Sequence, residues 1–203
     1  MASKNEIATI ALRDIGGKPV SDFDNETSKE AKLMQDYWDS NWKKLLRKFN
    51  WGFAKKWAEL ALETDTIIDP KWEYKFALPA DYIRMSKEET EKTLGTNYEI
   101  RDGSLYINQD SVKIEYIREI EDTTKWPEWF QDVVIARLRG KCNIPLAKSG
   151  KNSVNWYNLY LNVVLPESKR LDAEESNPTE EEKGNHTDDN DTWLNSAIIG
   201  TGS

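Results

Sequence analysis

The stretch from residue 27 to residue 50 limits the possible folds of this chain more than any other. Its apolar residues recur at steps of three and four, so in a helix they share one stripe of the surface. Thr27 and Glu30 stand at the spacing of a capping box, which predicts where the helix begins, and Asn50 is a plausible stop. The stripe consists of Ala31, Met34, Trp38, Trp42, Leu45 and Phe49.

Two large side chains of this helix lie outside the stripe. Leu33 and Tyr37 fall on the flank that the pattern assigns to solvent. Apolar side chains on a solvent-facing flank do not stabilise a helix, because exposed apolar area is unfavourable in water. We therefore predict that Leu33 and Tyr37 belong to a contact with another subunit.

The composition combines many charges with many aromatic rings. The 203 residues include nine Trp, eight Tyr and five Phe, which can bury a sizeable core area. Lys and Arg number 28 against 36 Asp and Glu, giving a net charge of −8, which disfavours a general nucleic-acid binder. The single Cys142 excludes an internal disulfide, and no apolar run is long enough for a membrane span. We expect a soluble protein made in a cytoplasm.

Residues 51–125 have the pattern of a small antiparallel sheet with one buried face. Asp102-Gly103 is the signature of a two-residue hairpin turn. Between Trp51 and Glu63 both helix and strand remain open, and aromatic residues after a helix that has already ended favour the strand. Alternating apolar residues predict the other strands near residues 74–78, 83–85, 98–107 and 112–117.

Helical patterns return after residue 125. Pro127 suits a first helical position, Pro145 is expected to end or kink that helix, and Pro166 to kink the next one. The predicted class is α+β. An antiparallel helix bundle forms from both ends of the chain, residues 1–50 and 126–178, and the β-domain of residues 51–125 is inserted between them.

The last residues, 179–203, differ from the rest. As far as Asp191 they are acidic and polar, with too few apolar groups to offset the entropy of ordering. Both an ordinary frayed terminus and a flexible tether with an apolar anchor fit this extended tail. In the second interpretation the tip docks on another subunit. The candidate anchor residues are Trp193, Leu194, Ile198 and Ile199.

The sequence offers no catalytic or metal-binding constellation. His186, the only histidine, lies in the acidic tail, and Cys142 lies on a predicted buried helix, so a nucleophile pair is disfavoured. Three aspartates of the tail lack the glycine and the terminal glutamate of a calcium loop. We therefore predict that the protein is not an enzyme and holds no cofactor and no metal.

Basic residues concentrate in one place, from Lys43 to Lys56. Compensation of the helix dipole and solubility explain this concentration better than a nucleic-acid site does. The residues are Lys43, Lys44, Arg47, Lys48, Lys55 and Lys56.

Five short motifs follow one another between Glu6 and Pro178. They are Gly17-Lys18-Pro19, Asn50-Trp51-Gly52-Phe53-Ala54, Leu78-Pro79-Ala80-Asp81-Tyr82-Ile83-Arg84, Trp126-Pro127-Glu128-Trp129-Phe130 and Arg170-Leu171-Asp172-Ala173. In this order they resemble the tail tubular protein A family, the head-to-tail adaptor (gatekeeper) proteins of short-tailed bacteriophages. The tail beyond Pro178 does not match that family.

The resemblance implies a structural virion protein without catalytic residues. Its subunits would form a homo-oligomeric, dodecameric ring in the neck of the virion, assembled in the cytoplasm of a bacterial host and free of membrane. The ring would join the portal protein to the tail nozzle protein and line a channel through which genomic DNA passes without specific binding. Two other classes stay open: an aromatic-rich carbohydrate-binding module and, less favoured, a cell-wall hydrolase.

Overall fold

A computed structural model describes residues 2–65, 67–86, 92–95, 97–146 and 151–176, without the side chains of residues 144 and 151–154. Over this part of the chain the protein is α+β, with helices and two antiparallel sheets. The helices are α1 (Lys4–Arg13), α2 (Lys29–Lys48), α3 (Glu128–Leu146), α4 (Lys151–Leu159) and α5 (Leu165–Ser176). The strands are β1 (Lys55–Glu59), β2 (Ala61–Leu62), β3 (Tyr74–Ala77), β4 (Tyr82–Met85), β5 (Tyr98–Arg101), β6 (Ser104–Ile107) and β7 (Lys113–Arg118).

The two N-terminal helices start at serine caps. Ser3 and Glu6 form the capping box that their spacing predicts, with reciprocal bonds between side chain and backbone. The capping box expected at Thr27 is wrong by one residue, because Ser28 is the cap of α2. Its hydroxyl accepts the Ala31 N–H at 3.2 Å and donates to Glu26, so Glu26 orients the cap from outside the helix.

Helix α3 lies at the centre of the helical part. Helices α1, α2, α4 and α5 all contact it, so segments from before and after the sheets share one core. The stripe of α2 is buried as expected, from Ala31 to Leu45, and Trp38 and Trp42 pack on Trp126 with ring centroids 6.1 and 5.8 Å apart. These ring contacts bury apolar area and also favour particular orientations of the tryptophan rings.

The middle of the chain forms two sheets instead of the single sheet that we expected. One has the strand order β1-β7-β4 and the other β2-β3-β6-β5. The chain changes sheet at Leu60, since Ala58 pairs with Ile114 of β7 whereas Ala61 pairs with Ala77 of β3. Leu60, at this crossing, is itself mostly buried, so the alternation of inward-facing and outward-facing residues continues through it. The sequence pattern therefore gave no sign of a second sheet.

Strand β7 joins the two cores. Ile114 and Tyr116 project into the apolar cluster of the sheets, while Ile117, on the other face, belongs to the helical core. A strand with both faces covered loses the alternation of apolar and polar positions, which explains why the sequence pattern breaks at Ile117.

The expected hairpin is confirmed. Asp102 and Gly103 have φ values of 53° and 76° and connect β5 to β6, as a two-residue turn with both residues at positive φ requires. The strand interpretation of residues 51–63 is right from Lys55 onward. It is wrong for Trp51 and Phe53. Trp51 precedes a short 3₁₀-helix, Gly52–Ala54, Phe53 lies within it, and both side chains pack with the helices.

The two helical prolines occupy different settings. Pro145 lies in the last turn of α3, in line with the expected end of that helix. Pro166 follows a π-helical segment, Tyr160–Val164, which joins α4 to α5. The π-helical turn is wider than an α-helical turn, so it accommodates Pro166, which has no N–H to donate the regular backbone hydrogen bond.

Two glycines allow a matched test of the fold. Replacing Gly103 with Ala puts a side chain at positive φ and should lower the free energy of unfolding by about 1 kcal/mol. Replacing Gly140 with Ala inside α3 should raise it by up to about 1 kcal/mol, because alanine favours the helix and its Cβ meets Tyr157 at an ordinary 3.5 Å. Urea denaturation measures both changes. A loss of stability on Gly140→Ala would contradict the packing of α4 on α3.

Candidate functional site

The described residues contain no group of His, Cys, Asp and Glu side chains that could hold a metal ion. The Cys142 thiol is fully buried, 3.8 Å from the Met34 sulfur, and burial raises its pKa to about 12. A thiol with such a pKa stays protonated at neutral pH and is a poor nucleophile. His186 and the three aspartates of the tail lie outside the described residues.

The most elaborate polar arrangement joins α5 to the start of the β-region. Both carboxylate oxygens of Asp172 accept the Gly52 N–H at 2.9 Å, and one also accepts the Phe53 N–H at 3.4 Å. Burial raises the pKa of the Asp172 carboxyl, and the hydrogen bonds from Gly52 and Phe53 oppose that shift. The side chain therefore satisfies the free N–H groups at the start of the 3₁₀-helix, where negative charge is favourable.

Glycine at position 52 permits the close approach of α5. A Cβ atom built at this position would lie 1.7 Å from the Ser176 Oγ and 2.9 Å from its Cβ. Any larger residue would push the end of α5 away from the backbone that Asp172 caps.

Aromatic rings surround this junction. Trp51 stacks on Trp129 and meets the edge of Phe130, with ring centroids 5.5 Å apart in each case. The indole N–H of Trp51 donates to the Leu45 carbonyl oxygen at 2.9 Å, and that of Trp129 donates to Glu175 at 3.1 Å. The end of α2, the start of α3 and the end of α5 are therefore held together by one cluster, which we call the junction cluster (Trp51, Gly52, Phe53, Trp129, Phe130 and Asp172).

A second carboxylate connects strands near the helices. The Tyr116 hydroxyl donates a hydrogen bond to Asp81 at 2.7 Å. The Lys56 ammonium donates a second one to the same carboxylate at 3.2 Å. Burial opposes ionisation of Asp81, but these two hydrogen bonds prevail and lower its pKa. Asp81 thus ties β1 and β7 to the turn before β4.

Three of the five motifs quoted above contribute to the junction cluster. Sequence reasoning identified each motif separately but missed that they meet, because Gly52 and Asp172 are 120 residues apart. The only local sign was Gly52 directly after a helix. Nothing in a single sequence pairs it with a particular aspartate.

The structure places the predicted interface residues as follows. Leu33 and Tyr37 are partly buried against the helical core, and the Lys141 ammonium lies 5.2 Å from the centre of the Tyr37 ring. Part of the apolar area that we assigned to another subunit is thus covered within the chain. The anchor candidates Trp193, Leu194, Ile198 and Ile199 lie outside the described residues.

Other large apolar side chains are more exposed than these two, and sequence reasoning missed them as candidates. One group lies on α4 and the π-helical segment, where Tyr157 and Val163 are 50% and 56% exposed. A second group lies in or near the sheets. These residues are Trp57, Leu62, Ile68 and Ile100.

Six tryptophans are buried and Trp156 is partly buried, so of the described tryptophans Trp57 alone presents an exposed ring. A row of exposed aromatic platforms, which the carbohydrate-binding alternative requires, is not formed by the described residues.

An open groove of about 670 Å³ lies between α1 and α3. It contains the carboxylates of Glu6, Glu128 and Asp132, and burial raises the pKa of Asp132. Glu6 is committed to its capping box with Ser3. No aromatic residue lines the groove, so it lacks the stacking surface that sugar rings favour.

No protein-family model and no curated protein matches the chain. Within the described residues, no helix is both long enough and apolar enough to cross a membrane.

Removing the Asp172 carboxylate should destabilise the protein. Asp172→Ala leaves two backbone N–H groups without their acceptor, and we expect the free energy of unfolding to fall by about 2 kcal/mol. Asp172→Asn keeps one acceptor oxygen and should cost less. Asp36→Ala, at an exposed position of α2, is the control and should change stability by less than about 0.5 kcal/mol in urea denaturation.

The same variants test the charge of this carboxyl. Because the folded state raises the pKa of Asp172, it holds the proton more tightly than the unfolded chain does. The contribution of this group to stability is therefore greatest at low pH and falls as pH rises through the interval between the unfolded and folded pKa values. Asp172→Asn should remove that part of the pH dependence. An unchanged profile would contradict the assignment.

The Cys142 thiol offers a probe of opening. At pH 8 the folded protein should react with Ellman's reagent only as fast as the chain opens, since the pKa of the thiol is about 12. Urea-unfolded protein should react at once, because an unperturbed thiol has a pKa of about 8.5. Fast reaction of the whole native sample would contradict the burial of Cys142.

Proposed function

We propose that the protein is a head-to-tail adaptor of a short-tailed bacteriophage, a structural virion protein that joins the portal to the tail nozzle. The observation that carries the proposal is the junction cluster. Motifs that resemble the tail tubular protein A family, and that are separated by up to 120 residues, supply the groups that contact one another there. A chance likeness of short motifs gives no reason for them to meet.

The arrangement of the chain supports the same function. Segments from both ends pack around α3, and the two sheets come from the residues between them. In the proposed assembly the helices form an antiparallel bundle that builds the wall of the ring, and the β-region projects from it.

A closed ring requires two different contact patches on each subunit. Leu159 and Val163, which are exposed on α4 and the π-helical segment, supply one patch, and the exposed apolar residues of the β-region, with Trp57 and Leu62, supply the other. Leu33 and Tyr37 retain partial exposure and extend the contact of α2. In this proposal the anchor residues of the tail dock on portal, nozzle or a neighbouring subunit.

The charge of the chain suits a channel for DNA. A net charge of −8 avoids strong binding of phosphates, which would hold the genome during its passage. The proposed function needs no catalytic group.

The ring contact can be tested with two neighbouring substitutions. Val163→Glu places a charge in an exposed apolar patch, whereas Asn162→Glu places it at an adjacent exposed polar position. When the chain is mixed with portal and nozzle proteins, electron microscopy should show rings for the parent chain and for Asn162→Glu. Val163→Glu should reduce the fraction of rings severalfold, because a charge buried in an apolar contact is costly.

Circular dichroism should show the same melting transition for both variants, since position 163 lies on the surface. Absence of rings in every mixture containing the parent chain, or equal ring formation by both variants, would contradict the proposal.

A further inference from the structure

A groove of about 290 Å³ lies between the C-terminal half of α2 and the segment from α4 to the π-helical turn. Its walls combine positive charge with aromatic rings, and Leu45 and Leu161 add apolar area. We call it the basic groove, lined by Lys44, Arg47, Lys48, Arg137, Tyr157 and Tyr160.

The cations of this groove are not neutralised by the described residues. Nearby lysines have carboxylate partners: Lys43 pairs with Glu119 at 2.6 Å and Lys56 with Asp81 at 3.2 Å. No carboxylate of the described part of the chain lies within 4.0 Å of the four cations of the groove, Lys44, Arg47, Lys48 and Arg137.

The groups beside the groove reflect this excess of positive charge. One guanidinium N–H of Arg137 donates to the Asn41 carbonyl oxygen at 2.6 Å, which leaves its charge uncompensated. Burial lowers the pKa of Lys141, and the charges of Arg137 and Lys44 lower it further. The dipole of α2 supplies only about half a negative charge at its C-terminus, far less than four cations need.

The chain carries a segment with the complementary chemistry. Residues 180–191 hold six carboxylates and one lysine, and Trp193 follows two residues later. Carboxylates match the cations of the groove. A nucleic acid offers the same charge but is repelled by the net negative charge of the protein.

Only three residues separate Ser176, the last described residue, from the start of this segment. The Ser176 side chain lies beside Gly52, only four residues along the chain from Lys48. Four extended residues span at most about 14 Å, enough for Glu180 to reach the region of Lys48 from Ser176. Attachment through so short a connection gives an effective concentration in the millimolar range, which favours binding within one chain over binding between chains.

We propose that the basic groove binds the acidic segment of its own chain, residues 180–191. This interaction neutralises the groove, and it is independent of the proposed ring, because it requires neither a second subunit nor a phage partner.

Photocrosslinking of the full chain tests the proposal. The crosslinker p-benzoylphenylalanine replaces Tyr157, a half-exposed residue of the groove wall, and mass spectrometry locates the products after digestion. We expect crosslinks to residues 180–193. In a mixture of ¹⁵N-labelled and unlabelled protein, the crosslinked peptides should both carry the same isotope, as binding within one chain requires.

Charge reversal provides the matched comparison. Lys44→Glu with Arg47→Glu should reduce the yield of this crosslink by about tenfold, since the attraction between opposite charges becomes repulsion. Lys29→Glu with Lys32→Glu, two exposed changes at the other end of α2, should leave the yield unchanged. The yield in the parent chain should also fall between 50 mM and 500 mM salt, which tests the proposal even if the reversed variant does not fold.

Three results would overturn the proposal. Crosslinks that avoid residues 180–193 would exclude the segment, and crosslinks with mixed isotopes would assign it to a neighbouring molecule. Binding of a short single-stranded oligonucleotide that Lys44→Glu with Arg47→Glu abolishes, with no crosslink to the acidic segment in its absence, would identify the groove as a nucleic-acid site instead.

Discussion

The hydrogen bonds from Gly52 and Phe53 to Asp172 hold the start of the β-region against α5. The chain leaves the helical core here to form the sheets, and α5 returns to the same place after 120 residues. Trp51, Trp129 and Phe130 exclude water around these bonds. In such surroundings a charge-assisted hydrogen bond is stronger than in water, but an unpaired carboxylate is also more costly. The start of the β-region and α5 are therefore fixed to each other by groups that satisfy one another only in this arrangement.

Strand β7 extends this coupling into the sheets. Because Ile114 and Tyr116 face one core and Ile117 faces the other, the strand cannot shift by one residue without exposing apolar groups on both sides. The Tyr116 hydroxyl reaches Asp81 and fixes the neighbouring turn. Helices and sheets are therefore connected by packing across β7 as well as by the covalent chain.

The sequence predicted the features that depend on local residues. The stripe of α2, the Ser3 capping box and the Asp102-Gly103 turn follow from short-range spacing, and all three are present. The second sheet, the position of Trp51 in the helical core and the pairing of Asp172 depend on distant segments. The partial covering of Tyr37 by Lys141 of α3 likewise depends on a distant segment. Helical periodicity alone therefore overstates how exposed this flank of α2 is. Two of the proposed interaction surfaces, the one at Val163 and the basic groove, could be found only from the structure. The sequence shows which residues are apolar or basic, but not which residues surround them in space.

The π-helical segment before Pro166 sets the rotational phase of everything after it. A π-turn takes one residue more than an α-turn, so each later position is rotated by about 100° relative to an uninterrupted helix. Asp172 faces Gly52, and the Ser168 hydroxyl faces the Trp129 carbonyl, only with this offset in place. Deleting a single residue between Tyr160 and Val164 would leave the composition of the helix almost unaltered. It would nevertheless turn the carboxylate of Asp172 away from Gly52 and Phe53, so that α5 would lose its hydrogen bonds to the start of the β-region.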